Sequence, residues 1–95
     1  MKYLILLLLA AAGSANADEC TTFARTAELV MQSRQMGIDS VRLYDAVEAT
    51  DPDGSARALI LAAYNEPRFH AVDNQQYAIA EFRNKAFVYC KESKK

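Results

Sequence analysis

Residues 20–37, CTTFARTAELVMQSRQMG, predict the first helix of the fold. Their apolar side chains recur at the spacing of one helical face. That face comprises Phe23, Ala27, Val30 and Met31, with Cys20 and Ala24 on the same side. Thr21 or Thr22 can cap the start, and Gly37 adopts the left-handed conformation at little cost, which favours a stop there. We therefore expect a helix from about Thr21 to Met36.

Cys20 and Cys90 are the only two cysteines of the chain. Two cysteines in an exported chain indicate a disulfide bond. Closing a loop of about 70 residues is worth roughly 4.4 kcal/mol in the chain-entropy treatment, which is large beside the ~5 kcal/mol expected for a small domain. The alternative, a pair of free thiols for redox chemistry, favours a C-x-x-C spacing, which the sequence lacks.

The first 17 residues have the pattern of a secretory signal peptide. Lys2 supplies the positive charge, the apolar run extends from Leu4 to Ala12, and Ala15-Asn16-Ala17 is a small-x-small cleavage site. An apolar run of about nine residues is much shorter than the ~20 that span a bilayer. The pattern predicts cleavage after Ala17, a periplasmic or secreted location and no stable membrane anchor after cleavage.

Residues 18–95 are predicted to form a single helical domain. A lipoprotein anchored at Cys20 is the alternative, but Asp18 and Glu19 stand where lipid attachment needs small or apolar residues. Lys and Arg number 11 against 12 Asp and Glu. Because these charges are dispersed and mildly acidic overall, no basic face is available for nucleic acid, and we expect no nucleic-acid partner.

Two further helices are predicted after short turns. Asp39 has the position of an N-cap for a short second helix. Asp51 and Pro52 look like the N-cap and first residue of a third helix, which Pro67 would end. Because residues 58–63 are apolar nearly all round, we expect this third helix to be the most buried.

A fourth helix is predicted to start with a cap at Asp73 or His70 and to end near Lys91. Its inner side is expected to comprise Ile79, Phe82, Ala86, Phe87, Tyr89 and Cys90. No strand-like alternation occurs, so the fold class is all-α: a small four-helix up-down or orthogonal bundle stapled by one disulfide. In an up-down bundle the start of the first helix and the end of the fourth lie together, which suits the predicted pairing of the cysteines.

The acidic turn resembles part of a calcium-binding loop. Asp51, Asp53 and Gly54 match three positions of an EF-hand. Ala49 and Ile60 then occupy the two terminal positions, where such a loop needs Asp and a bidentate Glu. The turn is therefore interpreted as ordinary helix capping, and no metal site is predicted.

Catalytic candidates are few. His70 is the only histidine, so a multi-histidine metal site is excluded, and a capping or surface role is favoured over that of a general base. Ser33, Ser40 and Ser55 lie on or beside predicted helices without a nucleophile-elbow motif. We predict no enzymatic activity, no catalytic residue and no cofactor.

A cluster of aromatic and arginine residues is the strongest candidate for a binding surface. Tyr64, Arg68 and Phe69 flank Pro67, and these residue types dominate protein-binding hot spots, although they could simply pack over the end of the bundle. Arg34 could bind a carboxylate or phosphate, or could bond helix-end carbonyls. The predicted binding set is Arg34, Gln35, Tyr64, Arg68 and Phe69, continuing into Gln75 and Gln76.

The order of motifs resembles a family of small uncharacterised exported proteins of bacteria and their phages. The resemblance covers most of residues 18–95 and rests on the following motifs: Cys20, Val30-Met31-x-x-Arg34-Gln35-x-Gly37, Ala62-Ala63-Tyr64-x-x-Pro67-Arg68, Gln75-Gln76-x-Ala78-Ile79, Phe82-Arg83-Asn84 and Cys90. Relatives tend to carry a Ser-Thr-Glu capping sequence where this chain has His70-Ala71-Val72. The resemblance implies an exported location and this fold, and it implies no activity.

The functional hypothesis is a small periplasmic or secreted interaction protein, without catalysis, that binds an unknown protein partner through its surface. The alternative is an acid- or stress-activated periplasmic chaperone, which would expose apolar faces when carboxylates become protonated. A small hydrolase is a third class and would need a cleft near His70.

Overall fold

The computed structural model describes residues 2–94, with the side chains of residues 19–94. Within this range the chain forms four α-helices and no strand. The helices are α1 (Lys2–Gln35), α2 (Ser40–Glu48), α3 (Ser55–Tyr64) and α4 (Val72–Ser93). The predicted all-α class, the four-helix bundle and the disulfide staple are confirmed.

α1 begins at Lys2, whereas the sequence pattern predicted a start near Thr21. The Leu- and Ala-rich run before Thr21 has high helix propensity and contains no proline, so nothing stops the helix from continuing through it. Signal-peptide cleavage after Ala17 stays a prediction, because the side chains of residues 1–17 lie outside the described residues. None of the described helices combines the length and apolarity that a bilayer crossing requires.

α1 is the central element of the bundle. Both α3 and α4 pack against it, and α2 packs against α3. The buried core draws on three helices and comprises Ala27, Val30, Met31, Leu59, Ile60, Ala63 and Ala86. The expected burial of α3 holds for one side of the helix: Leu59, Ile60 and Ala63 are buried, whereas Leu61 is 58% exposed. The apolar run of α3 has neighbours on two sides only, and its remaining side faces solvent.

α4 runs antiparallel to α1. Glu19 lies 2.7 Å from Lys94, and farther along α1 Glu28 lies 3.7 Å from Arg83. The predicted inner side of α4 is partly wrong, because Phe87 and Tyr89 are 38% and 67% exposed. α4 packs mainly against α1, and a single neighbour can cover only one narrow stripe of a helix.

The turn between α1 and α2 follows the predicted pattern. Gly37 has φ of +81°, a left-handed conformation that L side chains rarely adopt. The N–H groups of Gly37 and Ile38 donate to the carbonyls of Arg34 and Ser33, which is the Schellman arrangement at a helix C-terminus. The Asp39 carboxylate accepts a hydrogen bond from the N–H of Arg42, and its predicted role as the N-cap of α2 is confirmed.

α3 starts three residues later than predicted, at Ser55 instead of Pro52. Gly54 has φ of +77°, and a residue in this left-handed conformation cannot lie inside a right-handed helix. Asp51 is therefore not the N-cap. Its carboxylate nevertheless accepts hydrogen bonds from the N–H groups of Ala56 and Arg57. Asp51 therefore satisfies two N–H groups in the first turn of α3 although it lies outside the helix.

The start of α4 also differs from the prediction. Ala71 occupies the N-cap position without any side-chain hydrogen bond, so neither His70 nor Asp73 caps the helix. The preceding segment is held from two other directions. Gln35 contacts its backbone from α1, and the Gln75 amide donates to the carbonyl of Phe69 at 2.7 Å. These contacts to the backbone position the first turn of α4.

The disulfide joins Cys20 to Cys90, with the two Cα atoms 5.5 Å apart. Cys20 is completely buried. The adjacent ion pair between Glu19 and Lys94 lies on the surface at the same end of the bundle, where exposure limits its contribution to a fraction of a kcal/mol. The covalent bond is therefore the main constraint that keeps the C-terminal end of α4 against α1.

Removing this bond should strongly destabilise the domain. The Cys20→Ser, Cys90→Ser double variant is expected to lose about 4 kcal/mol of unfolding free energy, because the unfolded chain regains the entropy of an open loop. Urea unfolding followed by circular dichroism measures the loss. Dithiothreitol should lower the urea midpoint of the oxidised wild type and leave the double variant unchanged. Equal midpoints for wild type and variant would show that noncovalent packing alone holds α4.

Candidate functional site

The five residues predicted to form a binding set lie together in the structure. They join the C-terminal end of α1 to the connector between α3 and α4, residues 65–71. We call Arg34, Gln35, Tyr64, Arg68 and Phe69 the connector cluster. Gln75, which the prediction added as a continuation, also contacts the connector, whereas Gln76 is exposed beside Glu28 and Arg83.

Gln35 is the centre of the connector cluster and is only 2% exposed. Its side-chain oxygen accepts a hydrogen bond of 2.8 Å from the N–H of Phe69, and its amide nitrogen donates to the carbonyl of Pro67 at 2.9 Å. The amide thus pairs with two backbone groups on either side of Arg68. A buried amide satisfied in this way fixes the path of the connector over the end of α1.

The two arginines bond backbone carbonyls from opposite sides of Gln35. Arg34 donates through Nε and Nη2 to the carbonyl of Glu66 and lies 5.3 Å above the ring of Tyr64. Arg68 donates through Nε to the carbonyl of Gln35 itself. Its guanidinium also lies over Gly37, where an added Cβ would approach Nη2 to 2.7 Å. An L side chain at this position would be strained by the backbone conformation and would also displace the Arg68 guanidinium.

Tyr64 completes the connector cluster by binding the α1–α2 turn. Its hydroxyl donates to the carbonyl of Ile38 at 2.6 Å. Burial raises the pKa of Tyr64 above its ordinary value, although the positive charge of Arg34 partly opposes this effect. The phenol therefore stays protonated at neutral pH and serves as a donor. These internal hydrogen bonds give the cluster a structural role, and its predicted binding role stays a prediction.

A groove that the sequence pattern did not reveal lies between α3 and α4. The two helices pack against α1 rather than against each other, and they leave an open space of about 560 Å³. Phe23 and Met31 of α1 form its floor. Ala58 and Ala62 belong to the α3 wall, while the α4 wall includes Tyr77, Phe82 and Tyr89. The groove is lined mostly by apolar and aromatic side chains.

The groove and the connector cluster share one end. Pro67 and Phe69 line the groove at the connector, so the hydrogen bonds of Gln35 also position these two groove residues. Tyr77 and Tyr89 are 68% and 67% exposed. Tyr77, Glu81, Lys85 and Tyr89 follow one another at four-residue spacing along α4, which was the one available sequence signal for a common face.

The acidic turn before α3 uses its carboxylates internally. Burial by itself raises the pKa of the Asp51 carboxyl, but hydrogen bonds from the N–H groups of Ala56 and Arg57 and from the Arg57 guanidinium outweigh burial and hold the pKa below its ordinary value. The N–H and hydroxyl of Ser55 likewise lower the pKa of Asp53. Among the described residues no three His, Cys, Asp or Glu side chains are grouped to hold a metal ion.

The polar residues considered for catalysis lie apart from one another. His70 is exposed at the connector. The Ser33 hydroxyl donates to the carbonyl of Leu29 one turn earlier in α1, and the Ser55 hydroxyl donates to Asp53. Ser40 starts α2. Neither hydrogen-bonded serine has a histidine as its partner, so these contacts do not assemble a nucleophile and base.

The chain matches no family model, no curated protein and no solved structure. The resemblance to exported bacterial and phage proteins therefore stays an expectation from the sequence.

Truncating the buried amide should loosen the connector. Gln35→Ala is expected to reduce the free energy of unfolding by about 2 kcal/mol, because the N–H of Phe69 and the carbonyl of Pro67 lose a buried partner. Gln32→Ala is the matched control, since Gln32 is exposed on the same helix and should change stability by no more than about 0.5 kcal/mol. Urea unfolding measures the stability of both variants. Similar urea midpoints for Gln35→Ala and Gln32→Ala would contradict the central role of Gln35.

The lowered pKa of Asp51 predicts an acid-dependent loss of stability. Its folded-state pKa lies below the ordinary value of 3.8, so the ionised carboxylate stabilises the fold above that pH, and the contribution disappears as the pH falls through the folded pKa. Asp51→Asn should lower the urea midpoint near neutral pH, and the gap to wild type should narrow below pH 3.8. Asp45→Asn, at an exposed position on α2, is the control. A gap independent of pH would contradict the assignment.

Proposed function

We propose that this protein is a small exported binding protein, without catalytic activity, that holds an apolar segment of a partner protein in the groove between α3 and α4. The proposal keeps the predicted class of function and moves the binding surface from the connector cluster to the adjoining groove. The disulfide supports the exported location, because such bonds persist in oxidising compartments.

The exposure of Tyr77 and Tyr89 on an apolar groove carries the proposal. Each tyrosine leaves about two thirds of its surface in water although it borders a space of about 560 Å³ lined by apolar side chains. Concave surfaces lined mainly by apolar and aromatic side chains are common binding sites. Tyrosine contributes large contact area and a polar hydroxyl, and it is enriched among the residues that dominate binding energy.

The connector cluster supports the groove by fixing the residues that line it at the connector. Gln35 holds the backbone of Pro67 and Phe69, and Arg34 holds the carbonyl of Glu66 just before them. Pre-organised walls reduce the entropy that a binding site loses on association. Arg68 is exposed beside this end of the groove and can contact a partner through the N–H groups that Gln35 does not use.

An acid-activated chaperone is the second candidate function, and Asp51 favours it. Its carboxylate pairs the first N–H groups of α3, and that helix forms one wall of the groove. Protonation of Asp51 below its lowered pKa would release these donors and loosen the wall, which would expose more apolar surface in acid. In that case the protein should bind more apolar polypeptide as the pH falls and Asp51 loses its contribution to stability.

Filling the groove tests the leading proposal. Ala62→Trp places an indole on the α3 wall at an exposed position, so the variant should fold normally and capture at least tenfold less partner. Immobilised wild type and variant are compared in extracts of the native host, and the captured proteins are quantified by mass spectrometry. Val88→Trp introduces the same indole at an exposed position of α4 outside the groove and should capture as wild type does.

Equal capture by wild type and Ala62→Trp would show that the groove is not the binding surface. Thermal unfolding of both variants serves as the check on folding, because a variant with an unchanged midpoint reports on the surface alone.

A further inference from the structure

The charges at the groove are arranged unevenly along its length. Glu66 and Glu81 line the half near the connector, because the C-terminal end of α3 lies beside the N-terminal half of α4. Lys85 lies one helical turn farther along α4, toward the disulfide. An occupant therefore meets two carboxylates first and an ammonium group about one turn later.

The groove is long enough for a short helix. From Tyr77 to Tyr89 the α4 wall extends over about 18 Å at a rise of 1.5 Å per residue, which corresponds to about three helical turns. On the opposite wall Ala58 and Ala62 are one turn apart, and their small side chains allow a backbone to approach closely. Phe23 and Met31 supply a floor for apolar side chains that point inward.

The walls also decide the secondary structure of the occupant. α3 and α4 use their backbone N–H and C=O groups in their own helical hydrogen bonds, so they offer no free edge to which an extended segment could pair. An extended peptide on these apolar walls would bury backbone polar groups without partners, which is unfavourable. A helix satisfies its own backbone and presents only side chains to the groove.

We infer that the occupant is an amphipathic helix of the partner, about three turns long, with a basic side chain facing Glu66 and Glu81 and an acidic side chain one turn away facing Lys85. This inference rests on the proposed function and names the chemistry of the partner. The apolar face of the helix packs on Phe23, Met31 and the α3 and α4 walls, and the flanking charges set its position along the groove.

Three synthetic peptides test the inference by fluorescence anisotropy against the purified, disulfide-bonded protein. The first is a labelled 14-residue helix with leucines on one face and a Lys and a Glu four positions apart on the flank. The second replaces these two charges by Gln, and the third has a central proline that breaks the helix. We expect the first peptide to bind about tenfold more tightly than the second, since each exposed charge pair contributes up to about fivefold. We expect the third not to bind measurably.

A charge reversal on the protein locates the contact. Glu81→Lys should abolish the preference for the charged peptide over its Gln counterpart. Glu92→Lys, at an exposed position on α4 outside the groove, should keep the preference. Ala62→Trp should weaken all helical binding at least tenfold.

Several results would overturn the inference. Equal binding of the helical and proline-containing peptides would show that the groove takes apolar chains regardless of their conformation. Equal binding of the charged and neutral helices would remove the role of Glu66, Glu81 and Lys85. A wild-type dimer that Ala62→Trp dissociates would identify a second copy as the occupant. In each of these cases loss of partner capture by Ala62→Trp would still support the groove, whereas unchanged capture would overturn the proposed function itself.

Discussion

The attachment of α4 to α1 determines most of the structure. At one end the disulfide holds Cys90 to Cys20, and at the other the buried amide of Gln35 holds the connector that leads into α4. These two constraints fix both ends of an antiparallel helix pair, so α4 needs little contact with any other element. α3 packs against a different side of α1, and the space between α3 and α4 stays open as a consequence.

The small size of the domain explains why this space is not filled by the chain itself. α2 has nine residues and packs against α3, away from α4. With so few elements, a domain of this size buries a modest fraction of its apolar surface, and covalent cross-links commonly compensate. The disulfide allows the fold to leave Tyr77 and Tyr89 in water, because the stability it adds does not depend on covering them.

How far the sequence predicts the structure depends on the range of the interaction concerned. Short-range chemistry was predicted correctly: Gly37 ends α1 and Asp39 caps α2. The one long-range contact that was predicted correctly, the disulfide, followed from the presence of only two cysteines in the chain. The start of α3 was wrong because Asp51 reaches its donors across the left-handed Gly54 instead of capping the next residue. Periodicity identifies an apolar face but does not say how many neighbours will cover it.

The candidate site shows the same limit. The five residues of the connector cluster were predicted as a set, and they do come together, although their hydrogen bonds are made within the chain. The groove escaped prediction because it depends on the separation of α3 and α4, which no local pattern encodes. Tyr89 was expected to face the core because it follows Phe82 and Ala86 at helical spacing, and its exposure follows from the single main neighbour of α4.

The hydrogen bonds of the connector cluster bear on where a partner can bind at low cost. Gln35, Tyr64 and the Nε atoms of Arg34 and Arg68 all donate to backbone carbonyls of the chain. A partner that recruited these donors would first have to break bonds within the fold, and the orphaned carbonyls would then need new donors. Binding in the groove breaks no such hydrogen bonds, and covering its exposed apolar surface is favourable. In the proposed binding mode the arginine and glutamine side chains would therefore contribute mainly by keeping Pro67 and Phe69 in place, and the contact energy would come from the aromatic walls.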